Sequence, residues 1–98
     1  MTLEETTQKV TDLAKKKGGS VGFKIKFKLD EGIIFLDDSQ TPTVVSNDDN
    51  PADCVIRLSL TSLNKLMDGE MNAMAAFMMG KIKVDGDMSI AMKLSSLF

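Results

Sequence analysis

Three sets of side chains in this 98-residue chain could do chemistry. They are the thiol of Cys54, the carboxylates of Asp85 and Asp87 on either side of Gly86, and the thioethers of the methionines, seven of eight of which fall between Met67 and Met92. A thiol attacks only as thiolate, and histidine is the base that usually holds it there. The chain has no histidine, so catalysis by Cys54 is not expected. The same absence leaves acid–base work near neutral pH to a carboxylate or lysine with a displaced pKa, and no such pair announces itself. Asp85 and Asp87 could face a cation, but a turn and a helix cap would use both aspartates anyway. The segment "SNDDN" lacks the glycine and glutamate of a calcium loop. No cysteine or histidine cluster offers a zinc set, and no glycine-rich loop offers a phosphate cradle. Thioether sulfur is a ligand for copper(I), yet these methionines lie in apolar helical patterns without supporting histidine. The reading is of a non-enzyme with no catalytic residue, no metal and no cofactor.

The elements that must position these groups follow from periodicity. Thr2 and Glu5 have the spacing of a capping box, and Leu3, Thr6, Thr7, Val10, Leu13 and Ala14 share one helical face. Lys15, Lys16 and Lys17 suit the negative end of the helix dipole, and Gly18 can take the left-handed stop. "VGFKIKFKL" alternates, with Val21, Phe23, Ile25, Phe27 and Leu29 inward and Lys24, Lys26 and Lys28 on a solvated face. "DEG" turns the chain into "IIFL", a hairpin partner, and "TVV" after Pro42 forms a short third strand. In "DCVIRLSL", Cys54, Ile56, Leu58 and Leu60 share a face, so a fourth strand is expected with the thiol in the core. Thr61 opens a helix stopped at Gly69, and Asn72 caps a second one stopped at Gly80. "KIKV" at residues 81–84 is a fifth strand, and "MSIAMKLSSLF" is a last helix. The order is α+β with a mixed sheet, in one domain spanning residues 1–98.

Composition narrows the class. Charged residues are 27% and hydrophobic ones 43%, with no apolar run of the ~20 residues that span a bilayer. The start "MTLEETTQKV" lacks a secretory pattern, and a single cysteine needs no oxidising compartment. A cytoplasmic location is expected. A net charge of −2 and only phenylalanine as aromatic disfavour nucleic acid.

The methionines remain. Met67, Met71, Met74 and Met78 step by four, three and four, and Met88 and Met92 repeat the spacing. Such a stripe is either ordinary core or a wall for variable apolar shapes, since methionine re-packs easily and specifies a rigid core poorly.

"ADC" followed by "LMDGEMNAMAAFMMGKIKVDGDMSIAMKL" resembles the sterol carrier protein type 2 family, also called non-specific lipid-transfer proteins. The shared pattern falls on Ala76, Phe77, Gly80, Lys81, Ile82, Lys83, Val84, Gly86, Asp87 and Met88. The likeness is specific over about residues 52–97, while the N-terminal half agrees mainly in element order. It implies a five-stranded mixed sheet covered by helices, with a hydrophobic tunnel that binds fatty acid, fatty acyl-CoA, phospholipid or sterol without covalent chemistry. The lining expected is Leu63, Leu66, Met67, Met74, Phe77, Met78, Ile82, Met88, Ala91 and Met92, with Lys81 or Lys83 meeting an anionic headgroup. Burying ~15 methylenes at about 0.8 kcal/mol each would give on the order of 12 kcal/mol. The chain ends at Phe98, directly after the last helix, without the tail that helps close the tunnel in longer members and without a peroxisomal signal. Ala73 stands where many members have proline. Besides a lipid ligand and a transient membrane-surface contact, this reading leaves open an alternative, a module whose methionine face meets a protein partner or a second copy.

Overall fold

The structure, a computed structural model, describes residues 2–17, 22–40 and 42–93. Helix α1 (Leu3–Lys17) starts at the capping box. The Thr2 amide donates to Glu5 Oε1 at 3.1 Å and the Glu5 amide donates to Thr2 Oγ1 at 3.1 Å, so two otherwise orphaned donors are satisfied reciprocally. The helix buries Thr6, Val10 and Ala14.

The sheet contains β1 (Lys24–Leu29), β2 (Gly32–Asp37), β3 (Val44–Ser46), β4 (Cys54–Arg57) and β5 (Lys83–Gly86) in the order β3-β2-β1-β4-β5. β1 and β4 are parallel, and the other neighbours are antiparallel. The sheet is therefore mixed, and the fold is α+β. Register aligns the inward residues in rows. Val45, Leu36, Ile25, Cys54 and Gly86 form one row, and Ile34, Phe27, Ile56 and Val84 form the next. Ile25, Leu36 and Ile34 are fully buried with Val10 and Ala14 of α1 in one core. This is the face on which strand alternation places apolar side chains.

Helices α2 (Leu60–Met67), α3 (Ala73–Met78) and α4 (Met88–Lys93) follow β4 and flank β5. α2 is capped by Ser59, whose hydroxyl accepts from the Ser62 amide at 3.0 Å. The cap is thus Ser59 and not Thr61, and Leu60 belongs to the helix, because Asp30 accepts from the Leu60 amide at 2.9 Å. That tie from the β1–β2 turn ends the extended run of β4. Asn72 caps α3 by accepting from the amides of Met74 and Ala75. Gly80, at φ +76°, stops it. β5 starts two residues later than alternation suggests, since the Lys81 amide is still bonded to the Ala76 carbonyl at 2.9 Å. Gly18, Val21 and the stretch of the last helix past Lys93 lie outside the described residues.

The outer sheet face carries the lysines. Lys24 is exposed, Lys26 and Lys28 are half-buried, and Lys26 meets Asp49 at 2.5 Å. The aspartate-rich segment is thereby brought to this face.

Candidate functional site

A cavity of about 340 Å³ lies between the sheet and the last two helices. Its floor is Phe27, Ile56 and Val84, neighbours in one cross-strand row, with Leu58 and Ile82 from the segments flanking strands β4 and β5. Its walls are Leu66 of α2, Ala73, Met74 and Phe77 of α3, and Met88, Ala91 and Met92 of α4. Among the described residues Asn72 is the only polar side chain in the lining, and its oxygen is occupied in capping α3.

The cavity is open at the helical side. Phe77 is 39% exposed, Met88 42%, Met74 48% and Met92 51%. Few side chains of these helices reach the sheet: among the described residues α3 buries only Ala76 and α4 only Ile90. A helix that lays a full apolar stripe on a sheet shows three to four apolar residues per two turns.

Seven of the expected lining residues meet there: Leu66, Met74, Phe77, Ile82, Met88, Ala91 and Met92. Three do not. Leu63 is fully buried in the core, Met67 packs on that core half-buried, and Met78 is 79% exposed at the end of α3. The stepped methionine stripe is broken because Gly69, at φ +78°, ends the preceding turn before Asn72 starts α3. The two segments therefore do not share one helical phase. Lys81 and Lys83 are exposed, and neither lines the cavity. Sequence reasoning missed the floor. Alternation had put Phe27, Ile56 and Leu58 on the inward face, but only the register of β1, β4 and β5 brings them under one opening.

Cys54 is 1% exposed. Burial raises its thiol pKa, and the charges of Asp87, Asp85 and Asp53 raise it further, which is the opposite of what a nucleophile requires. Asp87 accepts from the Ser89 amide at 2.9 Å and from the Ser89 hydroxyl at 2.6 Å, and these bonds lower its pKa. Asp85 accepts from Arg57 Nε at 2.7 Å. The two carboxylates are thus committed to the start of α4 and to the sheet. Among the described residues no group of three or more histidine, cysteine or acidic side chains could hold a metal, and no helix is long and apolar enough to cross a membrane.

The geometry matches known proteins. Sterol carrier protein 2 of Bos taurus is 34% identical over 105 residues, an alignment covering 99% of this chain and 19% of the bovine one. The chain spans less than a fifth of the length of the curated relatives it matches. Among solved structures, the apo form of sterol carrier protein 2 from Yarrowia lipolytica superposes with a TM-score of 0.71 at 24% identity, covering 95% of this chain and 76% of the other. The palmitated SCP2L2 of Aedes aegypti superposes with a TM-score of 0.63 at 18% identity, covering 99% of this chain and 94% of the other. With a mixed sheet roofed by helices over an apolar cavity, and with residues 2–98 matching the family throughout, the chain belongs to the SCP-2 sterol transfer family.

Proposed function

We propose that residues 1–98 act as a single lipid-carrying unit that binds the acyl chain of a fatty acid, fatty acyl-CoA or phospholipid non-covalently in the cavity beneath α3 and α4. The observation that carries this reading is the lining, apolar at every described position but Asn72. Apolar surface leaving water is favourable by about 25 cal/mol per Å², and among the described residues the lining holds no charge that would have to be desolvated. The palmitated relative from Aedes aegypti supports an acyl chain as occupant.

Volume sets the scale. At about the ~30 Å³ share of a liquid water per methylene-sized group, 340 Å³ takes about eleven groups. These would yield on the order of 9 kcal/mol gross at about 0.8 kcal/mol each, against association costs of about 4 to 15 kcal/mol. The ~15 methylenes expected from sequence alone exceed that space, so a longer tail extends past the methionine rim or displaces it. A sterol has well over twice as many carbons in one rigid body and requires more displacement than a flexible chain. Methionine suits such re-packing because its three rotatable bonds adapt to irregular shapes. No bond is made or broken, and the buried thiol plays no part. One cysteine, reduced and buried, suits the cytoplasm, where we place the carrier's action.

Native mass spectrometry and displacement of a fluorescent fatty acid test this. Affinity for saturated fatty acids should rise about fourfold per methylene up to about eleven carbons and then level. Absence of binding at high micromolar protein, with a lipid-free dimer or complex in the mass spectrum, would instead support the protein-interaction alternative.

A further inference from the structure

A second, shallow and solvent-open cavity lies where β1 and β4 end and β2 begins. It differs in kind from the first because Lys28 and Arg57 line it. These two are direct cross-strand partners in the parallel pair, and Arg57 is in turn the partner of Lys83 in β5. Three cations therefore stand side by side on the outer sheet face. Like charges directly opposite one another destabilise a sheet.

The neighbouring acids offset this row only in part. Asp85 accepts from Arg57 at 2.7 Å, with both side chains more than half exposed. Asp49 is engaged by Lys26 at 2.5 Å. Asp30 also lines the second cavity and keeps its charge there, with one oxygen accepting from the Leu60 amide at 2.9 Å, so that two cations face one carboxylate in the lining. Leu58 lines both cavities, and the apolar cavity and the cationic one therefore meet at a single side chain.

We propose that Lys28 and Arg57, with Lys83 behind them, hold the anionic head of the amphiphile whose tail occupies the first cavity, the molecule passing around Leu58 at the end of the sheet. The recognised chemistry is a carboxylate or a phosphate ester. Arginine offers either one a planar fork of donors, and lysine adds a point charge. Binding exchanges the exposed pair of Arg57 with Asp85 for a pair with the ligand and relieves the cationic row. The proposal rests on the acyl-chain reading of the first cavity.

The test uses the whole chain and three probes with one tail length: dodecanoate, dodecyl phosphate and dodecanol, measured by displacement of a fluorescent fatty acid. Wild type should bind the two anionic probes about tenfold or more tighter than dodecanol, the scale of a hydrogen bond to a charged group. That preference should shrink toward unity in the double variant Lys28→Gln, Arg57→Gln, and at high salt. It should widen in Asp85→Asn, which frees Arg57; this exposed change also keeps the test decisive if the double variant folds poorly. Inorganic phosphate alone should compete only weakly. Competition by phosphate as strong as that of dodecyl phosphate would overturn the proposal in favour of a free-anion site. An anionic preference that survives in the double variant would place the head elsewhere, with the tail cavity intact. Failure of dodecanol and both anionic probes alike to bind wild type would remove the acyl-chain reading and this proposal with it.

Discussion

One face of the sheet is closed at α1 and open at α3 and α4. Beneath α1, Ile25, Ile34 and Leu36 have no exposed surface, and the fifteen-residue helix covers them with Val10 and Ala14. Toward the other edge of the sheet, Phe27, Ile56 and Val84 form a floor over which α3 and α4 hold four large side chains partly in solvent. The two regions share strands, register and hydrophobicity. They differ in side-chain shape and in the cover the helices give. Branched residues under a long capped helix are fully buried, as close-packed interiors are, whereas the thioethers of α3 and α4 leave space. The molecule places its stability in one region and its adaptable volume in the other.

The sharpest way to break that comparison is to truncate one side chain in each region. Ile25→Ala, at a fully buried position, should cost about 2 to 5 kcal/mol and lower the melting temperature by about 8 °C or more at about 4 to 8 °C per kcal/mol. Met88→Ala, at a position 42% exposed, should cost less than about 1 kcal/mol while weakening fatty-acid binding severalfold. Urea melts and displacement titrations on both variants measure this. Equal destabilisation by the two would show that the methionine wall is core after all.

A smaller effect is expected where the open region is anchored. Gly86 ends β5 opposite Cys54, and a Cβ there would lie 2.9 Å from the Asp53 carbonyl oxygen at φ +110°. Gly86→Ala should cost roughly 1 to 3 kcal/mol, the scale of a strained backbone site. It should also shift the edge strand that carries Val84 into the floor, so affinity falls along with stability. Gly80 has a positive φ too, but nothing lies within 4 Å of its would-be Cβ. Gly80→Ala bears only the left-handed penalty of about 1 kcal/mol. Denaturant midpoints that rank the two glycines in the reverse order would contradict this account of how β5 is anchored.

Much of this contrast was legible in the sequence. Alternation at Ile25 and Phe27, the capping box at Thr2 and Glu5, and the cap at Asn72 each act within a few residues, so local pattern suffices to find them. What was not legible depends on distant partners. Asp30 holds the amide of the first residue of α2 from thirty positions away, and the local signal, the Ser59 cap, lay hidden in the alternating run that reads on to Leu60. The floor of the cavity is drawn from β1, β4 and β5, whose adjacency is a matter of topology. Met78 carries the same periodic signature as Met74, yet one is exposed and the other lines the opening. Periodicity puts both on one side of α3, and only the docking of the helix decides which of them reaches the cavity. The cations of the β1 strand likewise looked like an ordinary solvated face until register set Lys28 beside Arg57.

The least of the expected effects separates the two regions by pH. Asp37 closes β2 at the packed side, is 3% exposed, and accepts from the Ser39 amide at 3.1 Å, the Ser39 hydroxyl and Gln40 Nε2 at 2.6 Å. The Ser39 hydroxyl bond, aided by Gln40, holds its pKa below the ordinary 3.8 despite burial. Asp87 begins α4 at the open side, is fully exposed, and is lowered by its bonds to Ser89. For both, the folded state holds the proton less tightly than the unfolded chain. Each contribution is therefore fully present above the ordinary carboxylate pKa and is lost as pH falls through the lower folded value. Solvent screens the Asp87 contribution, while the buried Asp37 keeps its own. Urea midpoints taken from pH 6 down to pH 3 should fall for wild type. Asp37→Asn should lower stability near neutrality by about 1 kcal/mol and flatten the acid limb, and Asp87→Asn should leave the slope nearly as in wild type. A flat limb in Asp87→Asn and a steep one in Asp37→Asn would mean that the open region, rather than the packed one, carries the acid sensitivity of the fold.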